Sequence, residues 1–398
     1  MTTVTAEIFV QAPLKFAYRA FTNATTIREW LCDVATVAPH PRGRMYLWWA
    51  GDFYSSGHYL ELEENKRVKF RWYSSIDPAP TEVTVSLTEK DGGVNVRMDH
   101  VVPSDESWKK MAEGFRSNWQ DSLRNLKSVL ETGIDLRIAE RPMLGIVPGD
   151  FSPEQAKSLG VPVLEGMRLD ATVEGMGAKR ASIERDDVLV SMAGKPITND
   201  FTSLQLAIAG KKGGDVIEVE FYRGTKKKKV SMELTKRPMA DVPFNSVELA
   251  KKARALMEPA LAEIEKCFEG YTDEQAMKRP EPNEWSALEV VAHLIQGERF
   301  NVIYLASLVD GYEAVSDGFG SNISESMAAM VKANPSIKLM MEALRRSVDE
   351  ILLFVEMLPA DFVANKGSYY RFGSGLLQPE FHLNAHTDQL RKALEAAK

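Results

Sequence analysis

Three of the chain's six histidines, His293, His382 and His386, lie in its last third. His382 and His386 stand four residues apart, so on a helix both imidazoles leave from one face. A facing antiparallel helix that carries His293 can bring a third imidazole to the same point. Three neutral imidazoles suit a divalent ion of the Zn, Ni or Fe type, Zn foremost, and leave at least one coordination position open. An open position lets the ion lower the pKa of a bound water or thiol and make it a nucleophile. Spacing alone leaves a second reading standing, in which each is an ordinary core or surface histidine. Glu289, one turn before His293, either supports that ligand or caps its helix from Ser286. Glu298 and Asp388 read as solvated or structural, and Cys267 as a buried small hydrophobe.

A second group of candidates is aromatic. Six of the seven tryptophans fall within the first 140 residues. Trp48, Trp72, Phe115 and Trp119 are placed to line an apolar pocket for a hydrophobic ligand, although residues of this type more often fill a core. His58 and His100 read as surface or sheet residues.

These residues must be positioned by elements that the pattern of the chain suggests. Alternation predicts strands over 3–10, 43–50, 57–64, 66–73, 81–88 and 93–100, short helices over 14–21 and 26–31, and a long amphipathic helix over about 104–131. A long helix after many antiparallel strands implies an α+β arrangement with the sheet wrapped around the helix. Farther on, strands are expected over 216–222 and 230–234 and a helix over 202–209. The lysine run 226–229 reads as a solvated hairpin tip. From Asn245 the apolar spacing is helical, with helices over 245–268, 286–309, 323–357 and 378–396. That is an up-and-down four-helix bundle, the arrangement that sets His293 opposite His382 and His386.

Charge and aromatic content shift near Glu140-Arg141-Pro142 and again near Lys236-Arg237-Pro238, which divides the chain into domains at 1–138, 139–238 and 243–398. A chain of 398 residues has room for three such units. With a net charge of −7 it is not suited to hold nucleic acid by neutralising phosphates. No run of about 18 apolar residues is present, which excludes a membrane-spanning helix. The first residues lack the basic start and apolar stretch of a secretory signal. Two distant cysteines form no framework, and a reducing cytoplasm is the expected location.

Ordered motifs carry three family resemblances. Ala12-Pro13, Phe21-Thr22, Trp30-Leu31, Pro41-Arg42-Gly43-Arg44, Gly57-His58-Tyr59-Leu60-Glu61-Leu62, Arg67-Val68-Lys69-Phe70-Arg71-Trp72, Gly114-Phe115 and Trp119 resemble the START-like (SRPBCC) superfamily. The branch is the AHSA-type one, homologous to the heat-shock chaperone ATPase activator. This implies a helix-grip fold with a cavity for a hydrophobic small molecule. Members of that superfamily bind, carry or transform ligands, so the fold leaves the activity open.

The middle block resembles a PDZ domain of the HtrA-protease type, a β-sandwich or barrel-like fold. The likeness rests on Arg141-Pro142-Met143-Leu144-Gly145-Ile146, Gly175-Met176-Gly177-Ala178-Lys179-Arg180-Ala181, Asp186-Asp187-Val188-Leu189-Val190 and Ala193-Gly194-Lys195-Pro196-Ile197. It implies capture of a protein or peptide C-terminus by β-augmentation. Met143, Leu144, Gly145 and Ile146 would form the carboxylate loop, with Leu204 and Ile208 as the opposite wall. The family's usual glycine before the Asp-Val-Leu strand is Asp186 here, at a turn that wants a positive φ.

In the last block, Glu284-Trp285-Ser286, Glu289, His293-Leu294, His382, His386 and Gln389-Leu390-Arg391 resemble the DinB-like superfamily, a metal-binding four-helix bundle. It includes thiol-dependent S-transferases that use mycothiol or bacillithiol. The resemblance implies that all three histidines are metal ligands and that a low-molecular-weight thiol is a cofactor. Two readings follow: a metal-dependent thiol-transfer or detoxification enzyme, and a non-enzymatic stress-response or chaperone-associated adaptor.

Overall fold

The computed structural model describes residues 1–313, 323–378 and 380–398, with residues 380–382, 384 and 385 described by their backbone alone. The chain divides into two compact units, one made of Met1–Asp135 with Ala240–Lys398, the other of Leu136–Met239.

The N-terminal half of the first unit begins with β1 (Thr2–Val10), α1 (Leu14–Arg19) and α2 (Ala24–Trp30). There follow β2 (Val34–Val37), β3 (Arg44–Trp49), β4 (Phe53–Glu63), β5 (Arg67–Ser74), β6 (Thr81–Lys90), β7 (Gly93–Val102) and α3 (Glu106–Thr132). The seven strands form one antiparallel sheet in the order β1-β7-β6-β5-β4-β3-β2. The first strand thus pairs with the last, and α3 packs against that edge. Period-two alternation decides which residues enter the core. On β5, Val68, Phe70 and Trp72 are buried, and on β6 Val83, Val85 and Leu87. Helix α3 supplies the other side through Trp119, Leu123, Leu126, Val129 and Leu130. It stops at Gly133, which takes φ +77°. This antiparallel sheet gripping a long helix is the α+β arrangement expected of the first block.

The second unit contains α4 (Leu136–Ala139), β8 (Ile146–Gly149), α5 (Pro153–Leu159), β9 (Met167–Thr172), α6 (Gly177–Arg180), β10 (Val188–Met192), β11 (Lys195–Pro196), α7 (Phe201–Ile208), β12 (Val216–Arg223) and β13 (Lys226–Glu233). The sheet runs β13-β12-β10-β9-β8, with β11 paired to β10, so β8 is an edge strand. Buried Asp187 ties the turn before β10 to β12 by accepting from Arg223 Nε and Nη2, each at 2.8 Å. Asp186 takes φ +65° and accepts from Arg168 Nη1 at 2.7 Å. The lysine run is not the hairpin tip. It starts β13, where Lys227 and Lys229 pair across the ladder with Glu220 and Glu218 at 2.8 and 2.6 Å.

The C-terminal half of the first unit is helical: α8 (Ser246–Cys267), α9 (Asp273–Met277), α10 (Ala287–Val309), α11 (Ser324–Ala333), α12 (Ile337–Glu356), α13 (Ala360–Ala364), α14 (Lys366–Leu376) and α15 (Glu380–Glu395). Helices α8 and α10 each pack on both α12 and α15. The single helix expected over 323–357 is two. Pro335 cannot donate to a continuing helix and disfavours helical geometry before it, and Ser336 caps α12 by accepting from Leu339 N at 3.2 Å. Helix α14 was not expected, because three of its eleven residues are glycine. Packing overrides propensity there: Tyr369, Tyr370 and Phe372 are buried, and α14 lies on α2 and α3 of the N-terminal half.

Candidate functional site

His293 lies on α10, and both His382 and His386 on α15, which packs against α10. The rings of His293 and His386 meet edge to face with centroids 4.6 Å apart. Trp285, just before α10, sets its ring 5.1 Å from that of His293. His386 Nδ1 donates to Gln389 Oε1 at 2.9 Å, one turn along the same helix. That bond fixes the tautomer and leaves Nε2 as the lone-pair nitrogen, the form a metal ligand needs. The side chain of His382 lies outside the described residues. Among the described residues, which therefore hold two of the three imidazoles, no three His, Cys, Asp or Glu side chains converge on one point. A hollow of about 290 Å³ is walled by Pro280, Asn283, Glu284, Lys392 and the two residues that touch the histidines, Trp285 and Gln389.

Glu289 is the helix cap. With Ser286 it forms a reciprocal capping box, and Arg279 Nε donates to its Oε2 at 2.9 Å. Burial pushes its carboxyl up, but the hydrogen bonds from Arg279 and Ser286 outweigh this and hold it below the usual carboxylate range. Asp388 is exposed beside Arg391. Cys267 is only partly buried; its thiol is pushed up by burial, which suits no nucleophilic role. Glu298 departs most from expectation. It is 7% exposed, and burial pushes its carboxyl up. It lines a separate cavity of about 220 Å³ with Asn301, Tyr304, Arg371, Phe372 and Leu376. Only its place in a helix that the sequence reads as apolar could have pointed to it.

In the N-terminal half a cavity of about 260 Å³ lies between sheet and α3, lined by Leu31, Trp49, Phe53, Trp72, Phe115 and Trp119 among others. Of the aromatics singled out from the sequence, Trp72, Phe115 and Trp119 line this cavity. Trp48 does not, since alternation along β3 gives the inner face to Met45, Leu47 and Trp49. His100 is fully buried beneath this wall, not at a surface. Trp119 Nε1 donates to its Nδ1 at 3.1 Å, so its proton sits on Nε2 and goes to Thr81 Oγ1 at 2.7 Å. Thr81 in turn donates to Trp72 O at 3.2 Å. With both ring nitrogens engaged and burial penalising the cation, its pKa falls to about 4. The buried Nε1–H of Trp72 has no acceptor among the described residues.

In the second unit the loop before β8 is pinned by reciprocal hydrogen bonds between Met143 and Thr235, at 2.8 and 2.9 Å. The carbonyls of Leu144 and Gly145 accept from Ala178 N and Val173 N. The N–H groups of Leu144 and Gly145 reach no acceptor among the described residues. Gly145 takes φ +74°, and a Cβ there would stand 2.3 Å from Met176 Cβ, so only glycine fits. Ile146 begins β8 and is half-buried. Leu204 is buried in the core of this unit, and Ile208 packs partly buried against that core.

Comparison with known proteins bears on two stretches by family. Residues 11–131 match the family described as Activator of Hsp90 ATPase homolog 1-like protein. Residues 256–390 match the DinB superfamily. The chain carries an AHSA-like domain and a DinB-like domain. Among curated proteins it is similar to the periplasmic pH-dependent serine endoprotease DegQ of Escherichia coli K12, 29% identical over 101 residues, which are 25% of this chain and 22% of DegQ. It is also similar to the periplasmic serine endoprotease DegP of the same strain, 23% identical over 165 residues, 42% of this chain and 30% of DegP. The chain therefore spans less than a third of the length of either protease. Among solved structures it is similar to the Aha1 dimer from Colwellia psychrerythraea, with 18% identity, 33% of this chain and 97% of that chain covered, and a TM-score of 0.30. No helix among the described residues is long and apolar enough to cross a membrane.

Proposed function

We propose that the DinB-like half binds one divalent metal ion through His293, His382 and His386, and that the chain is a metal-dependent thiol S-transferase of a detoxifying kind. The observation that supports this is the approach of His293 and His386 from two helices to a ring separation of 4.6 Å, with Gln389 fixing the tautomer of one of them. Imidazole donors select Zn, Ni or Fe over the harder cations. Bound there, the ion would hold a low-molecular-weight thiol as its thiolate. The hollow beside Trp285 and Gln389 is the place for the electrophile, with the indole as its apolar wall. Elemental mass spectrometry on the full chain and on His293→Ala, His382→Ala and His386→Ala tests the site. About one equivalent of metal, lost in each variant, is the expected result. Absence of metal even after reloading would reduce this half to a scaffold, and metal without thiol-dependent turnover of any electrophile would remove the transferase reading alone.

A second reading, an adaptor, rests on a different observation: edge strand β8 and the unengaged N–H groups of Leu144 and Gly145. An extended peptide adding to β8 would place its terminal carboxylate at those two groups. This is the PDZ-type capture of a protein C-terminus by Met143–Ile146 within a domain spanning 139–238, between an SRPBCC-type domain at 1–138 and a four-helix bundle at 243–398. In the first of these, the cavity walled by Trp49, Trp72, Phe115 and Trp119 is the place for a hydrophobic ligand. We further place the protein in the cytoplasm. A screen of peptide libraries that finds no preference for a C-terminus would end the adaptor role of the middle unit.

A further inference from the structure

The cavity around Glu298 brings a carboxyl and a guanidinium to one small space. It lies among α8, α10, α14 and α15, and its volume is about 220 Å³. Arg371 enters from α14 and is held from behind, where Nη2 donates to Glu313 Oε2 at 2.9 Å. Of its other donors, Nε is buried without an acceptor among the described residues, and Nη1 reaches none there either; 35% of the side chain stays accessible. Neutralisation of this guanidinium is incomplete. Glu313 is shared with Arg28 at 2.6 Å. Glu29, 3.9 Å away, is pushed towards its neutral form by burial.

From α10, Glu298 lines the same cavity. Its one hydrogen bond comes from Asn301 Nδ2 to Oε2, at 3.2 Å. Among the described residues no base pairs with it, and its Oε1 and the Oδ1 of Asn301 accept nothing. A buried carboxyl without a cation is costly, and so is a guanidinium with idle donors. Opposite charges with spare hydrogen-bonding capacity thus share a small cavity that Phe372 and Leu376 line on the apolar side and Tyr304 and Gln378 on the polar side.

We propose that this cavity binds a small amino-carboxylate, an α-amino acid with an apolar side chain. Its carboxylate meets Nη1 of Arg371, its ammonium meets Glu298 and Asn301 Oδ1, and its side chain lies on Phe372 and Leu376. An ion with only one of the two charges leaves the other wall group unanswered, so the site discriminates against acids without an amine and amines without an acid. The inference requires no metal and is independent of the histidine reading.

Isothermal titration of the full chain with L-alanine, L-valine, L-leucine, L-methionine and L-phenylalanine tests it, with isovalerate and isoamylamine as half-ligands. At least one amino acid is expected to bind one to one, both half-ligands at least tenfold more weakly. Glu298→Gln and Asn301→Ala, which leave the Arg371 contacts in place, are each expected to weaken the amino acid at least tenfold. Binding is expected to survive treatment with a chelator. No saturation by any of the five at millimolar concentration would overturn the proposal. Binding that both substitutions leave unchanged, or that the chelator abolishes, would overturn it equally.

Discussion

His100 and Gln389 show how much a single hydrogen bond can fix. Trp119 has only a donor to give, so its bond to Nδ1 makes His100 a neutral Nε2–H tautomer with both nitrogens occupied. The folded pKa of about 4 lies below the ordinary 6.5. Between those values the unfolded chain binds a proton that the folded chain refuses. The stability contribution is therefore whole above pH 6.5, falls as pH drops towards 4, and is flat below; its span is about 3 kcal/mol. Proton NMR should show one histidine that does not titrate until near pH 4, and His100→Gln should flatten the stability profile between pH 4 and 6.5. A set of resonances that all titrate near 6.5 would refute this. Gln389 acts on the proposed metal in the same way, through the tautomer of His386. Gln389→Ala should weaken metal binding about 10- to 100-fold in competition with a chelator; unchanged affinity would mean that the bond orients nothing. Glu298 was beyond such reasoning, because its role depends on Arg371 from another helix, a juxtaposition no local spacing encodes.

At the level of elements, periodicity was a good guide where one face of an element is buried. The strands of the AHSA-like sheet and its helix α3 follow their alternation and amphipathic stripe, and Asp186 occupies the positive-φ turn expected of it. It failed where a neighbour decides. Helix α14 forms because Tyr369, Tyr370 and Phe372 are buried, not because Lys366–Leu376 favours helix. The pocket aromatic on β3 was misassigned by one position, Trp48 for Trp49, and a one-residue slip exchanges the faces of a strand. The loop before β8 is the opposite case, since Gly145 was legible by type and its surroundings explain why. Gly145→Ala would force a side chain into φ +74° and against Met176. A cost of roughly 1–3 kcal/mol is expected in thermal unfolding, with loss of any C-terminal peptide binding to the middle unit by fluorescence anisotropy. A variant that keeps both its stability and its peptide affinity would show that the loop tolerates a Cβ and that its conformation is not what captures the peptide.

On the scale of the whole molecule, the AHSA-like and DinB-like halves form one compact unit although 104 residues separate them in sequence, Leu136–Met239. Their contact combines buried aromatics of α14 with polar groups and is tightly fitted. Gly367 of α14 approaches α2 so closely that a Cβ would stand 2.4 Å from Glu29 Oε2. Ser368 donates to Oε1 of the same carboxylate, and Asn23 Nδ2 donates to Gly311 O at 2.8 Å. Glu29 Oε2 has no partner among the described residues. Burial raises the pKa of Glu29 despite the nearby Arg371 and the Ser368 hydroxyl, so its effect on stability has a definite sign. Below the ordinary carboxylate pKa the group is neutral in both folded and unfolded chains and costs nothing. As pH rises, ionisation is easier in the unfolded chain, and the folded state loses ground up to its own, higher pKa. Glu29→Gln keeps the shape and the Ser368 bond but cannot ionise. Its melting temperature relative to the parent chain should therefore climb between pH 4 and pH 8. A difference that stays flat across that range would mean that Glu29 is as well solvated folded as unfolded. Gly367→Leu attacks the same joint by volume, at an expected 1–3 kcal/mol by analogy with overpacked cores, about 2 kcal/mol being typical. If the joint holds the halves as one cooperative body, this variant should split one calorimetric transition into two and expose Gly133 and the end of α3 to proteolysis. A single undivided transition in Gly367→Leu would show that the halves are coupled elsewhere than at Glu29.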